Sequence, residues 1–127
     1  MTLIQEIFAH VFEKDGFDEA VCEKYFSKDY IQYVDGKKVD YAGFLDHVRA
    51  LKSALHSMSF EFKHIVKEGN KIATLHIARG IKKDTGKKIE VQVNAMFEIQ
   101  NNQVISCNEL THLVHGEESD QDLGSRV

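Results

Sequence analysis

Four alternating runs fill the second half of the chain: 57–68 (SMSFEFKHIVKE), 71–83 (KIATLHIARGIKK), 88–100 (KIEVQVNAMFEIQ) and 103–115 (QVISCNELTHLVH). Polar and apolar residues alternate along each, which is the period of a half-buried strand. Gly69-Asn70, Asp84-Thr85-Gly86-Lys87 and Asn101-Asn102 separate them. Gly and Asn accept the positive φ that tight hairpin turns demand. The runs therefore predict one long antiparallel meander. Strands usually hold about five or six residues, and strands this much longer twist into a curved sheet.

Helical patterns precede the meander. Over 2–14, Leu3, Ile4, Ile7, Phe8, Val11 and Phe12 fall on one helical face, with Thr2 at the N-cap position. Gly16 ends that helix, and Asp18 caps a shorter one carrying Val21, Cys22, Tyr25 and Phe26. The stretch 29–34 (DYIQYV) reads as a short strand, followed by an Asp35-Gly36 turn. Asp40 caps a third helix with Phe44, Leu45, Val48, Leu51 and Leu55 turned inward. The order α-α-β-α-β-β-β-β predicts an α+β fold: a cone-shaped, curved, mostly antiparallel sheet wrapped around three N-terminal helices.

Composition narrows the function. The 127 residues suffice for one domain, expected over 1–115, with an acidic polar tail over 116–127 (GEESDQDLGSRV) that Leu123 can pin. A net charge of −4 without a basic stripe argues against nucleic acid as a partner. No apolar run reaches spanning length, so no membrane is expected. Glu6 and His10 interrupt the N-terminal apolar pattern, which argues against a secretory signal and for a cytoplasmic protein. Cys22 and Cys107 lack metal-ligand spacing and read as small core residues. His112 and His115 fall on opposite faces of a strand, and no glycine-rich phosphate loop occurs, so neither a metal nor a cofactor is expected.

Counting through the turns assigns faces. One face gathers Phe62, His64, Arg79, Gln92, Asn94, Met96, Glu109 and Thr111, and is expected to point into the cone. The other carries Val91, Val93, Ala95, Phe97 and Leu110. With helices covering only one side, this second row is expected to be buried by another copy of the chain, as a homodimer.

The element order, the segment 29–51 (DYIQYVDGKKVDYAGFLDHVRAL) and the four long strands resemble the nuclear transport factor 2-like superfamily. Within it, the SnoaL-like branch, named for a polyketide cyclase and related to ketosteroid isomerases, is the nearest in pattern. The resemblance covers the chain to about Val114. It implies a cone with a pocket between helices and sheet, and a dimer through the outer sheet face. In the SnoaL-like cyclases an acidic residue late in the last strand acts in acid–base chemistry. The corresponding stretch here is Ser106-Cys107-Asn108-Glu109-Leu110-Thr111-His112, which holds no aspartate and offers Glu109 or His112.

Glu109 is thus the leading catalytic candidate. A carboxylate on an apolar face has its pKa raised by desolvation, which suits a general acid or base. The plainer alternative is an ion pair with Arg79. His64 and Tyr33 are the candidates for donating to a developing oxyanion, although His64 between Phe62 and Val66 also reads as a core residue. Arg79, Gln92, Asn94, Thr111, His47, Phe62 and Met96 are expected to contact a small, largely apolar ligand. The corresponding activity is cofactor-free proton transfer beside a carbonyl, of isomerase, cyclase or dehydratase type. The alternative is a non-catalytic ligand-binding or dimerisation module whose polar groups only satisfy one another.

Overall fold

The computed structural model describes residues 1–117; the expected anchor Leu123, and most of the tail, lie outside the described residues. The chain begins with α1 (Leu3–Phe8), which continues as a π-helical turn over Ala9–Glu13. Then follow α2 (Glu19–Tyr25), β1 (Phe26–Val34), β2 (Lys37–Asp40), α3 (Tyr41–Ala54), β3 (Leu55–Glu68), β4 (Lys71–Lys82), β5 (Lys88–Gln100) and β6 (Gln103–His115). The class is α+β, with three helices on one face of a curved, mostly antiparallel sheet. No helix among the described residues is long and apolar enough to cross a membrane.

Local chemistry sets the boundaries. Thr2 forms a capping box with Gln5, each side chain reaching the other's backbone. The Asp18 carboxylate accepts from the amides of Ala20 and Val21, and Asp40 accepts from Gly43 N at 2.8 Å. A Cβ on Gly43 would lie 2.9 Å from Val39 Cγ1, so glycine lets α3 start against β2. Asn101 and Asn102 sit at φ 54° and 61°, the two positive values of a type I′ hairpin.

The strand order is β2-β1-β6-β5-β4-β3. The meander pairs as the turns predict, but register shifts interrupt it: one between Leu55 and Met58 and one between Glu90 and Val91 near the strand ends, and two deeper in the sheet. Of the deeper two, one lies in β3 between Phe62 and His64, the other between Glu98 and Ile99, where β6 carries an extra residue. Each of these two bulges reverses the faces beyond it. Val104 and Cys107 consequently are both buried, and Phe97 pairs with Cys107 instead of Ser106.

The two strands between the bulges therefore present the faces opposite to those counted from the turns. Val93, Ala95 and Phe97, with Ile72, Thr74 and His76, are buried against the helices. Val91 packs against the same core. These four β5 residues cannot form the expected dimer surface, because this chain's own helices cover them. Phe8 stands at the centre of the core. Its ring lies 5.0–5.9 Å from those of Phe12, Phe60, Phe62, His76 and Phe97, mostly edge to face.

Candidate functional site

The concave side of the sheet and the helices line a cavity of about 110 Å³ that is partly open to solvent. Its wall is mostly aromatic: Phe8 and Phe12 from the first helix, Phe26, Phe44, Phe60 and Phe97 from the elements around it. The π turn closes with Lys14 N donating to Ala9 O at 3.1 Å, and Lys52 Nζ donates to the carbonyls of Phe12 and Lys14. These contacts tie the end of the first helix to α3, directly beside the wall that Phe12 supplies.

Among the polar groups that reach this wall is Glu109. It stands on β6 opposite Ala95, keeps part of its surface accessible, and lines the cavity. Burial pushes its carboxyl up to about 8, and the neighbouring Asp35 charge adds to the shift. Asp35 cannot neutralise it; its own carboxylate is held by Thr111, whose amide donates at 2.8 Å and whose hydroxyl donates as well. Among the described residues no side chain hydrogen-bonds the Glu109 carboxyl. Arg79 is not its partner. The guanidinium turns to the convex side, where Nε meets Glu90 at 2.8 Å and Nη1 meets Glu61 at 2.9 Å.

His76 faces Glu109 across β5. His76 pairs with Val93, Val93 with Thr111, and Glu109 lies two residues before Thr111. Two strand spacings of about 4.8 Å and this two-residue offset separate their Cα atoms by roughly 12 Å. The imidazole is buried among the rings of Phe8, Phe60 and Phe62. Desolvation there pushes its pKa down to about 4, so it is neutral at neutral pH. Nδ1 lies 2.9 Å from Thr74 Oγ1.

A third polar group closes the β1 side. The Tyr30 hydroxyl donates to Gln32 Oε1 at 2.7 Å and also meets the Cys107 thiol. Burial, followed by the Cys107 and Glu109 charges, holds the phenol well above its ordinary range. The Cys107 thiol is likewise raised by burial, so it is inert as a nucleophile. Among the described residues no group of His, Cys, Asp and Glu is placed to hold a metal ion.

The residues singled out from the sequence divide between the two sides of the sheet. Glu109, Thr111 and His47 line the cavity. Phe62 stands behind the wall, its ring 5.0 Å from that of His76. Gln92, Asn94 and Met96 lie on the convex face; Gln92 Nε2 donates to Asn94 Oδ1 at 3.1 Å, and Met96 is exposed. His64, just past the β3 bulge, is exposed, and Tyr33 is exposed on the convex side of β1 opposite Asn108. Neither can donate to a group inside the cavity. Sequence patterning does not single out His76, Tyr30 or Gln32. The signal for His76 is its place in the same alternating row as Ile72 and Thr74, beside the most apolar row of the sheet.

The sequence carries a match to the SnoaL-like domain over residues 4–107. The chain belongs to the SnoaL-like family. An uncharacterized protein of Schizosaccharomyces pombe is 34% identical over 124 residues, covering 98% of this chain and 94% of that one. Two solved structures show the same fold at lower identity. AclR of Streptomyces galilaeus, a candidate hydroxylase, superposes with TM-score 0.76 at 16% identity over 98% of this chain and 84% of its own. A candidate polyketide cyclase of Acidithiobacillus ferrooxidans gives 0.73 at 17% identity, with coverages of 86% and 84%. Members of one fold carry different chemistry, so activity has to be argued from the cavity of this SnoaL-like chain.

Proposed function

We propose that the cavity binds a small, largely apolar carbonyl compound and that Glu109 and His76 move protons on it without a cofactor, as in an isomerase, cyclase or dehydratase. The observation that carries this reading is a carboxyl set on an aromatic wall without a side-chain partner among the described residues, where burial pushes its pKa up. Across from it stands a neutral imidazole. Two titratable groups with pKa values pushed apart by their surroundings divide naturally into acid and base. In the tautomer whose Nδ1–H donates to Thr74, His76 Nε2 keeps a lone pair.

In the simplest step, that nitrogen takes a proton from the carbon beside the carbonyl. Glu109 gives its proton to the carbonyl oxygen, and an enol forms. Where the ligand is a β,γ-unsaturated carbonyl compound the enol is a dienol, and return of the proton from His76 to its γ-carbon, with the enol proton going back to Glu109, completes an isomerisation to the conjugated product. The reactive state holds Glu109 protonated and His76 neutral. Rate should therefore be high between about pH 4 and pH 8, and fall on either side. Proton exchange tests this without the natural substrate. In D2O, NMR follows exchange of the α-protons of small ketones. The wild-type chain should accelerate it, and Glu109→Gln should lower that acceleration by on the order of a hundredfold. Equal acceleration by both would remove Glu109 from the chemistry.

A second reading, dimerisation, is supported by the convex face. Tyr33, Asn108, Met96, Ala73 and Val66 form one cross-strand row, and Leu110, Asn94 and Leu75 the next. Tyr33, Met96, Leu110 and Val66 are exposed, with charged pairs at both ends of the patch: Lys71–Glu98 and the Arg79 cluster. An apolar centre with a charged rim fits a second copy of the chain. Of the row expected from sequence only Leu110 remains available. Light scattering should report a dimer that Leu110→Glu converts to monomer; a monomeric wild type would refute this reading.

A further inference from the structure

The cavity's size and charge narrow the ligand further than the acid–base reading, on which this inference rests. A cavity of about 150 Å³ lined by apolar side chains accommodates benzene. The present one, at about 110 Å³, is smaller. Pockets for drug-sized, multi-ring ligands start at about 300 Å³.

Charge is as selective as volume. No lysine or arginine head group faces the cavity among the described residues. Arg79 touches its edge, but its guanidinium is engaged by Glu61 and Glu90 on the opposite side of the sheet. Lys52 is tied to backbone carbonyls at the end of the first helix. An anionic ligand would therefore be desolvated beside the carboxyl of Glu109 with no counter-charge. The groups around Glu109 are Asp35 at the β1–β2 turn, Tyr30 on β1, Cys107 on its own strand, His47 on α3 and His76 on β4. Of these, Asp35 opposes a further negative charge beside Glu109.

We infer that this cavity selects a neutral molecule no larger than a single ring, whose carbonyl oxygen accepts a hydrogen bond from the Glu109 carboxyl, and that it excludes anions and multi-ring compounds. A cationic amine is the competing occupant, because it could pair with an ionised Glu109 and lie against the aromatic rings. The two differ in the sign of their pH dependence. A neutral acceptor needs Glu109 protonated and is lost as pH rises past about 8. An amine needs it ionised and gains over the same interval.

Ligand-observed NMR titrations of the full chain with cyclopentanone, cyclopentanecarboxylate, cyclopentylamine and 1-tetralone, at pH 6 and pH 9.5, test the inference. Cyclopentanone should bind saturably at pH 6 and at least about tenfold more weakly at pH 9.5, as expected when only the protonated acid binds. The carboxylate and the two-ring ketone should not bind. Glu109→Gln, whose amide can still donate, should keep cyclopentanone binding and lose its pH dependence. The wild-type series alone remains decisive should that variant fold poorly. Preference for 1-tetralone, for the carboxylate, or for the amine with affinity rising with pH would overturn this inference and leave a working pocket. Absence of binding by all four would overturn the pocket reading itself.

Discussion

The concave side of β4 and β5 is the more apolar of the two, and the two sides treat their polar residues in opposite ways. On the concave side Thr74 and His76 are buried, and the imidazole loses its basicity to desolvation. On the convex side Gln92 bonds Asn94, and Arg79 bonds Glu61 and Glu90, all within reach of water. Polar groups that satisfy one another in water need no further account. A carboxyl raised to about 8 by its surroundings stores a preference for the neutral form, and that preference can be used on a ligand.

The largest effect expected of a single change lies on the concave side. Phe8→Ala removes a ring in contact with five others. It should lower unfolding free energy by about 3–5 kcal/mol in urea titrations. A loss below about 1 kcal/mol would mean that the wall is not packed around Phe8.

Next comes the pH dependence of stability. Glu109 has its folded pKa raised to about 8 from an ordinary 4.5. Its contribution is fully present below 4.5 and is lost as pH rises through about 8. His76, lowered from 6.5 to about 4, acts in the other direction: its contribution is present above 6.5 and lost as pH falls through about 4. Between pH 5 and pH 9 the loss from Glu109 outweighs the gain from His76, so wild-type stability should fall by about 2 kcal/mol. Glu109→Gln, left with the His76 contribution alone, should instead rise over the same range. Parallel curves for the two proteins would contradict the raised pKa of Glu109.

The smallest effect belongs to the convex face. Arg79→Gln breaks two exposed ion pairs, and such pairs are screened by water and salt. Its Tm and its binding of cyclopentanone should match wild type. A clear loss of binding would place Arg79 in the ligand's reach after all.

The fold was legible in the sequence because its signals are local. Thr2, Asp18 and Asp40 cap helices at the expected places, and the Asn101-Asn102 and Gly69-Asn70 turns set the pairings next to them. The bulges at Phe62/His64 and Glu98/Ile99 carry no comparable signal, since an extra residue in a strand leaves composition unchanged. Their two reversals cancel at the ends of the meander. Phe60 and Phe62 on β3, and Cys107, Glu109 and Thr111 on β6, therefore face inward as counted from the turns. Only β4 and β5, lying between the bulges, are reversed; with them Gln92, Asn94 and Met96 leave the site, Arg79 keeps only its edge, and His76 enters it. One physical argument overrides the counting. Val91, Val93, Ala95 and Phe97 form the more apolar row of β5, and the row with more apolar surface belongs against the helices.

Acid–base chemistry and ligand preference both depend on one protonation state, and it can be observed directly. Carbon-13 labelling of the glutamate carboxyls lets NMR follow Glu109 from pH 4 to pH 10, with Glu109→Gln identifying its resonance. The expected midpoint is near 8, far from the ordinary 4.5 of a glutamate carboxyl. A midpoint near 4.5 would mean that water reaches the carboxylate freely, and the cavity would then hold neither a protonated acid nor the ligand preference built on it.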